Sequence, residues 1–167
     1  SSSGKAPGPK PLKNAIEKIR ALILRCLMSG QKRLRSIDAY DIVMHASDAV
    51  LSGGVRRSAT ICLFSPDDLE MAQAKTGNWF QENPQRGRSN NSALLIRDQT
   101  SKEDFEQLMS YVREFGEPGF VWSDSTELLV NPCVEIGLYP VDITTGLSGW
   151  EACNLCEING RYCKTPE

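Results

Sequence analysis

The segment NPCVEI, residues 131–136, places three side chains with chemical potential at alternate positions. In an extended chain, Asn131, Cys133 and Glu135 would share one face, because successive side chains point to opposite sides of a strand. Pro132 removes a backbone donor and restrains the residue before it to extended geometry. The pattern therefore predicts a strand end or an irregular strand with a polar, thiol-bearing face. The alternative is an edge strand in which Cys133 is buried as a small hydrophobic residue and Glu135 faces solvent.

Two further segments carry polar groups next to predicted strands. In SGGVRRSATI, Gly53 and Gly54 permit a sharp turn, and Arg56 and Arg57 follow on the way into a strand. The arginines either satisfy the last carbonyls of a helix or offer guanidinium donors to a base or phosphate. Amide and hydroxyl groups likewise precede a strand in RGRSNNSALL: Ser89, Asn90, Asn91 and Ser92.

The C-terminal cysteines invite a metal or redox interpretation. Cys153 and Cys156 have the spacing of a zinc ligand pair, with Cys163 nearby and Cys133 or His45 as a possible fourth ligand. A structural zinc site normally draws on a second compact pair, which the sequence lacks, so we predict no metal site. A thioredoxin-like pair is also disfavoured, because that motif opens a helix and this segment has the pattern of a strand.

Composition limits the classes of function. The chain has 167 residues, of which 40% are hydrophobic, and a formal net charge of −2. One domain of ordinary size is expected, without the basic surface of a nucleic-acid-binding protein. The apolar runs are too short to span a bilayer, and no signal peptide pattern is present. Six unevenly placed cysteines, three of them close to the C-terminus, fit a cytoplasmic protein with one or two active thiols better than a disulfide scaffold.

The elements that must position these residues alternate between helices and strands. Apolar residues at helical spacing predict helices over residues 11–28, 36–52, 65–75 and 100–116, with Ser36 and Ser65 as N-caps. Short apolar runs predict strands over residues 56–65, 92–96, 119–122, 128–136 and 152–160. Residues 1–11 and 78–91 are predicted loops. This order indicates an α/β fold with a mainly parallel sheet.

Together, these motifs resemble the large catalytic subunit of ribonucleotide reductases, most closely the adenosylcobalamin-dependent class. GKAPGPKPL, SGGVRRSA, RSNNSA, EPGF, NPCVEI and CNLCEIN occur in the order that this family shows. The proline of NPC is typical of the cobalamin class, whereas the metal-dependent class more often has leucine there. Val134 departs from the usual glycine, so a metal-dependent reductase is one alternative. The other alternative is a nucleotide-binding or structural piece without catalysis.

The resemblance implies roles for individual residues. Cys133 would be the thiyl radical that abstracts the 3′ hydrogen of the substrate, with Glu135 as general base on the 3′-hydroxyl and Asn131 holding the ribose. Cys153 would be one of two cysteines that become a disulfide as the nucleotide is reduced. The loop from Gly53 to Ser58, including Gly54, Arg56 and Arg57, would couple a dNTP or ATP effector to the substrate base. The nucleotide site would include Asn90, Asn91 and Ser92.

The resemblance also implies a larger architecture. The family has a ten-stranded α/β barrel of the ribonucleotide reductase and glycyl-radical type, and residues 1–167 would form the central part of that single catalytic domain, incomplete at both ends. Partners would be the remaining barrel segments, a ribonucleotide and a thioredoxin-like reductant. We expect adenosylcobalamin to bind outside this chain. We also expect the isolated chain to be inactive and to associate through unpaired strand edges.

Overall fold

A computed structural model describes residues 8–50, 58–138 and 140–149 of the chain. Within these ranges, the helices are α1 (Pro9–Met28), α2 (Ser36–Asp48), α3 (Leu69–Ala72), α4 (Trp79–Glu82) and α5 (Lys102–Phe115). The strands are β1 (Thr60–Phe64), β2 (Ser89–Ile96) and β3 (Gly119–Ser123), and a 3₁₀ turn spans Pro84–Arg88. This alternation confirms the predicted α/β class. Among the described helices, none has the length and apolarity needed to cross a membrane.

The three strands form one parallel sheet in the order β1-β2-β3. Cys62 of β1 stands opposite Asn91 of β2, and Ser92 of β2 stands opposite Gly119 of β3. Each parallel connection needs a crossover, which α3 and α4 provide between the first two strands and α5 provides between the last two. The predicted parallel pairing is therefore confirmed for the described strands.

One face of the sheet is covered by helices. Apolar side chains from α2, α3 and α5 pack there against alternate residues of β1 and β2, as the two-residue period of a strand requires. The buried members of this core are Ile37, Tyr40, Met44, Phe64, Met71, Ala72, Ala74, Ala93, Leu95 and Leu108. Phe105 and Phe120 extend the core towards β3, with ring centroids 4.9 Å apart.

The opposite face of the sheet carries the intervening residues of each strand. On β2 these are Asn90, Ser92, Leu94 and Ile96, which change from polar to apolar along the strand. Leu63, Leu94 and Ile96 line a cleft of about 450 Å³ at the carboxyl ends of the strands. The polar start of β2 is the part of this face that reaches the loop carrying Cys133.

The first two helices differ from their predicted ends by small, explicable amounts. The first helix starts at Pro9, two residues early, because proline is well suited to the first turn. The second starts at Ser36, so Arg35 and not Ser36 is the N-cap. The Asp38 carboxylate accepts from the Arg35 backbone and guanidinium, and these bonds hold the pKa of Asp38 well below its usual range. This helix ends at Asp48, short of the predicted 52.

The middle of the chain differs more from the predicted elements. The predicted helix over residues 65–75 is reduced to the four residues of α3, with Asp68 and not Ser65 as its cap, because the Asp68 carboxylate accepts from Met71 N at 3.0 Å. The predicted loop over residues 78–91 contains α4, the 3₁₀ turn and the first residues of β2. The polar residues at the start of β2 have the local pattern of a loop, because partners such as Tyr40 and Pro132 lie far away in sequence.

The helix α5 was predicted nearly to its ends. Ser101 accepts from Asp104 N at 3.1 Å, and the Asp104 carboxylate accepts from Ser101 N at 3.0 Å, which forms a capping box. Gly116 ends the helix at a φ of 73°, a conformation that glycine adopts without steric cost. The chain then enters β3 at Gly119, as predicted.

Candidate functional site

The segment that contains Asn131, Cys133 and Glu135 is a closed loop and not an extended strand. Backbone bonds from Leu138 N to Leu129 O (2.7 Å) and from Asn131 N to Ile136 O (3.2 Å) join the two arms of a hairpin. We call residues 129–138 the thiol hairpin and residues 132–135, at its tip, the thiol loop. The predicted strand over residues 128–136, with three side chains on one face, is therefore wrong.

Local chemistry explains why this sequence turns. Pro132 has no N–H with which to continue a ladder. Val134 N donates to Asn131 O at 2.9 Å, and Val134 takes a φ of 69°, which is rare for a β-branched residue. The Asn131 side chain also accepts from Ile136 N at 3.0 Å. These bonds close the loop from both sides of Cys133.

The three predicted site residues differ in exposure. Asn131 is 1% exposed, and its side-chain oxygen shapes the loop through Ile136 N. Cys133 and Glu135 are exposed at the tip, and the Cys133 thiol is not in a disulfide within the described part of the chain. The thiol loop thus presents the Cys133 thiol and the Glu135 carboxylate to solvent, while the Asn131 side chain next to the loop is buried.

The start of β2 holds this loop against the sheet. Asn90 Nδ2 donates to Pro132 O at 2.8 Å. Asn91 points to the helical face, where its Oδ1 accepts from the Ser89 hydroxyl at 2.7 Å. Ser92 is buried on the same face as Asn90, next to Gly119, where an added Cβ would come within 2.7 Å of the serine oxygen. Of the three predicted nucleotide-site residues, Asn90 therefore contacts the thiol loop.

A buried polar network, which the sequence analysis missed, supports the start of β2 from its helical face. Asp41 of α2 forms a two-pronged ion pair with Arg86, with Nε to Oδ1 at 2.8 Å and Nη2 to Oδ2 at 2.7 Å. Lys75 is 6% exposed, donates to Ser89 O and pairs with Glu117 at 2.7 Å. The signal that could have revealed the first pair is a charge inside the apolar run AYDIV, where a buried acid requires a partner.

Tyr40 links this network to the core and gives it a pH dependence. The Tyr40 hydroxyl lies 2.8 Å from Ser89 Oγ, and burial raises the pKa of Tyr40 to about 12. The folded state thus favours the neutral phenol. The contribution of the neutral Tyr40 phenol to stability is complete below its ordinary pKa of about 10. This contribution is lost as the pH rises through the higher pKa that Tyr40 has in the folded state.

We therefore expect the stability advantage of the wild type over Tyr40→Phe to shrink between about pH 10 and pH 12. The free energy of unfolding of both proteins, measured by denaturant titration across that window, checks this directly. An advantage that stays constant through the window would show that Tyr40 titrates alike in the folded and unfolded states.

Most of the remaining predicted site residues lie outside the part of the chain that the structure describes. Gly53, Gly54, Arg56, Arg57 and Cys153 lie outside the described residues. Ser58 precedes β1 and is half-buried. His45, half-buried on α2, has its pKa lowered by burial. Within the described ranges, no group of three or more His, Cys, Asp or Glu residues has the arrangement of a metal site.

Comparison with known proteins places these features in a context. The chain is 32% identical over 174 residues to an adenosylcobalamin-dependent ribonucleoside-triphosphate reductase of Lactobacillus delbrueckii subsp. bulgaricus, with 93% of this chain and 21% of the relative aligned. It is 31% identical over 122 residues to a probable enzyme of the same description from Dictyostelium discoideum, with 71% of this chain and 15% of the relative aligned. A putative enzyme of that description from Mycobacterium phage D29 is 26% identical, with 93% of this chain and 25% of the relative aligned.

The extent of these matches limits what they show. The chain spans about a fifth of the length of the curated relatives that it matches. No protein-family model matches it. No solved structure matches it either. The similarity therefore concerns a limited part of these relatives, and the alignment over 93% of this chain includes the thiol hairpin and its supporting sheet.

Proposed function

We propose that this chain, which belongs to the ribonucleotide reductase family, supplies the reactive thiol loop of an adenosylcobalamin-dependent ribonucleoside-triphosphate reductase. The observation that carries the proposal is the thiol loop itself. Its four residues expose both Cys133 and Glu135, and the Asn131 side chain closes the loop by accepting a bond from Ile136 N. The names of the relatives support the adenosylcobalamin class over the metal-dependent class. The exposure of a thiol and a carboxylate together in one short loop favours catalysis over a purely structural role.

The chemistry assigned to the loop begins with hydrogen abstraction. The Cys133 thiyl radical takes the hydrogen from C3′ of the ribose, which gives a thiol and a carbon radical. Glu135 accepts the 3′-hydroxyl proton, and the 2′-hydroxyl then leaves with a proton as water. Effective general-base catalysis requires the base to lie within hydrogen-bond reach of its proton, and a short loop that presents both groups meets this requirement. Asn131 is buried with its side-chain oxygen bonded to Ile136 N, so we propose that it shapes the loop, in place of the direct bond to the ribose that the resemblance implies.

Reduction requires two electrons and two protons from a pair of thiols. Cys153 is proposed as one of these thiols, with the other on a residue outside this chain, and their oxidation yields one disulfide. Cys133 then returns its hydrogen to C3′ and becomes the thiyl radical again. The overall change is ribonucleotide plus dithiol to deoxyribonucleotide, disulfide and water. A thioredoxin-like dithiol would reduce the disulfide for the next turnover.

The described residues do not by themselves fit the cofactor. Four clefts along the described sheet and helices have volumes of about 290–450 Å³, and all four are lined by segments other than the thiol loop. A corrin ring with its nucleotide tail needs a far larger surface. We therefore propose that residues beyond the described ones hold adenosylcobalamin and complete a ten-stranded α/β barrel around the three parallel strands.

The arginines that follow Gly53 and Gly54 are proposed to transmit the identity of a bound dNTP to the substrate base. We expect Arg56→Ala or Arg57→Ala to change which base is reduced under a given effector by about 5-fold to 150-fold, the range for a coupling of about 1–3 kcal/mol. The best rate should fall less. Competition assays with four ribonucleoside triphosphates and one effector at a time measure this, with Arg97→Ala as a control because Arg97 pairs with Asp124 at the surface. Unchanged base preference in both variants would contradict this role and would mean that the two arginines only satisfy the last carbonyls of a helix.

The assigned function is tested by product formation. An enzyme that contains this chain should convert a ribonucleoside triphosphate to the deoxynucleotide when adenosylcobalamin and a dithiol are supplied, and chromatography of the nucleotides measures it. A parallel reaction with the diphosphate identifies the preferred substrate. Absence of deoxynucleotide from both reactions, with a folded enzyme, would contradict the proposal.

A further inference from the structure

We propose that Asn90 is a positioning residue that fixes the direction of Cys133 through the Pro132 carbonyl. This inference rests on the proposed function for its catalytic consequence, but the bond itself does not. Asn90 Nδ2 donates to Pro132 O at 2.8 Å, and the two residues are 42 positions apart in the chain. The bond thus joins the thiol loop to the rigid sheet at the residue immediately before the reactive cysteine.

Peptide geometry explains why this carbonyl matters. The Pro132 oxygen lies in the same plane as the nitrogen and Cα of Cys133, because the peptide unit between them is planar. Holding the oxygen therefore restrains the peptide plane from which the Cys133 side chain departs. The bonds within the hairpin, to Asn131 O and Asn131 Oδ1, set the shape of the loop but not its direction relative to the sheet.

Asn90 is itself held firmly enough to act as an anchor. The preceding residue, Ser89, is buried, and its carbonyl accepts from Lys75 while its hydroxyl meets Tyr40 at 2.8 Å. Lys75 is paired with Glu117 at 2.7 Å, which ties the same point to the turn before β3. The strand around Asn90 is thus fixed from its helical face, so its amide projects from a rigid base onto the opposite face.

A positioning role is distinct from the nucleotide-binding role predicted for Asn90 from the resemblance. A residue that binds the substrate uniformly raises KM when removed and leaves kcat unchanged. A residue that orients the reacting thiol lowers kcat and leaves KM unchanged, and a misplacement of about 1 Å costs on the order of 100-fold. The Asn90 bond to Pro132 O favours the second behaviour.

The test uses Asn90→Asp and Asn90→Ala in the complete enzyme, both of which lack the amide donor. We expect kcat to fall by about 10-fold to 100-fold with KM for the nucleotide within about twofold. Amide exchange of the peptide over residues 129–138, followed by mass spectrometry, should accelerate while β2 and α5 stay as protected as in the wild type. The matched control is Asn78→Asp, which makes the same change at an exposed position whose side chain caps nothing.

Each outcome is decisive. A kcat within twofold of the wild type, a rise in KM alone, or unchanged exchange in the thiol hairpin would overturn the inference. Faster amide exchange throughout the protein would also overturn the inference. It would mean that the substitution unfolds the protein and does not act by releasing the thiol loop from the sheet. If the wild type makes no deoxynucleotide, the proposed function fails, and the exchange measurement still decides whether Asn90 holds the loop.

Discussion

Replacing Cys133 by serine is expected to reduce deoxynucleotide formation to that of an enzyme-free reaction. Cys133 is exposed at the tip of the thiol loop, where its sulfur can meet a ribose. Serine has nearly the same shape, so the loop should keep its bonds between Val134 N and Asn131 O and between Ile136 N and Asn131 Oδ1. The loss is chemical, because an alcohol is not readily oxidised to the radical that abstracts hydrogen from carbon.

Two other cysteines provide the comparisons. Cys62→Ser changes a half-buried thiol on β1, away from the thiol loop, and should leave turnover within a few-fold of the wild type. Cys153→Ser should spare radical formation and block reduction, so that substrate is consumed or altered without deoxynucleotide. Deoxynucleotide formed by Cys133→Ser would mean that the thiyl radical has been assigned to the wrong residue.

Removing the buried acid Asp41 is expected to destabilise the fold by about 3–5 kcal/mol. Asp41→Ala leaves the Arg86 guanidinium, 14% exposed, without its carboxylate partner in a region from which water is largely excluded. The Gln85 amide, which donates to Asp41 Oδ1 at 3.1 Å, loses the same acceptor. The free energy of unfolding from denaturant titration measures the loss.

An exposed ion pair of the same length is the matched control. Arg97 and Asp124 are also 2.7 Å apart, but their side chains are 58% and 81% exposed. Asp124→Ala should therefore cost no more than about 1 kcal/mol. The double variant Asp41→Leu/Arg86→Met should recover much of the stability, because both charges are then removed from the interior. A cost of Asp41→Ala that merely equals that of Asp124→Ala would refute the buried network as a support of β2.

Local signals determined which elements could be predicted from the sequence. The helix α5 has a capping box at Ser101 and Asp104 and a glycine stop at Gly116, so both ends are encoded within a few residues. The strand β3 is a short apolar run between turn residues. In contrast, Ser89, Asn90 and Asn91 extend β2 although their side chains are polar, because Ser89 bonds to Tyr40, Asn90 bonds to Pro132, and Asn91 Oδ1 accepts from Ser89. Such distant partners leave no trace in the local pattern.

The thiol hairpin shows how a periodicity argument can fail. Alternation of Asn131, Cys133 and Glu135 suggests a strand, and the apolar neighbours reinforce that impression. Pro132 and the Asn131 side chain instead close a tight turn, and Val134 adopts a positive φ. The residues proposed to carry the chemistry could nevertheless be selected from the sequence, because motif resemblance depends on residue identity and order and not on the backbone conformation. The bond from Asn90 could be seen only in three dimensions.

The measurement that tests the central claim most directly is electron paramagnetic resonance of the complete enzyme, mixed with nucleotide and adenosylcobalamin and then rapidly frozen. The account predicts a cysteine-centred radical whose signal narrows when the protein is labelled with β-deuterated cysteine and which is absent from Cys133→Ser. The Cys153→Ser enzyme should retain the signal. A radical insensitive to cysteine deuteration, or one that persists in Cys133→Ser, would contradict the assignment of this loop as the radical site.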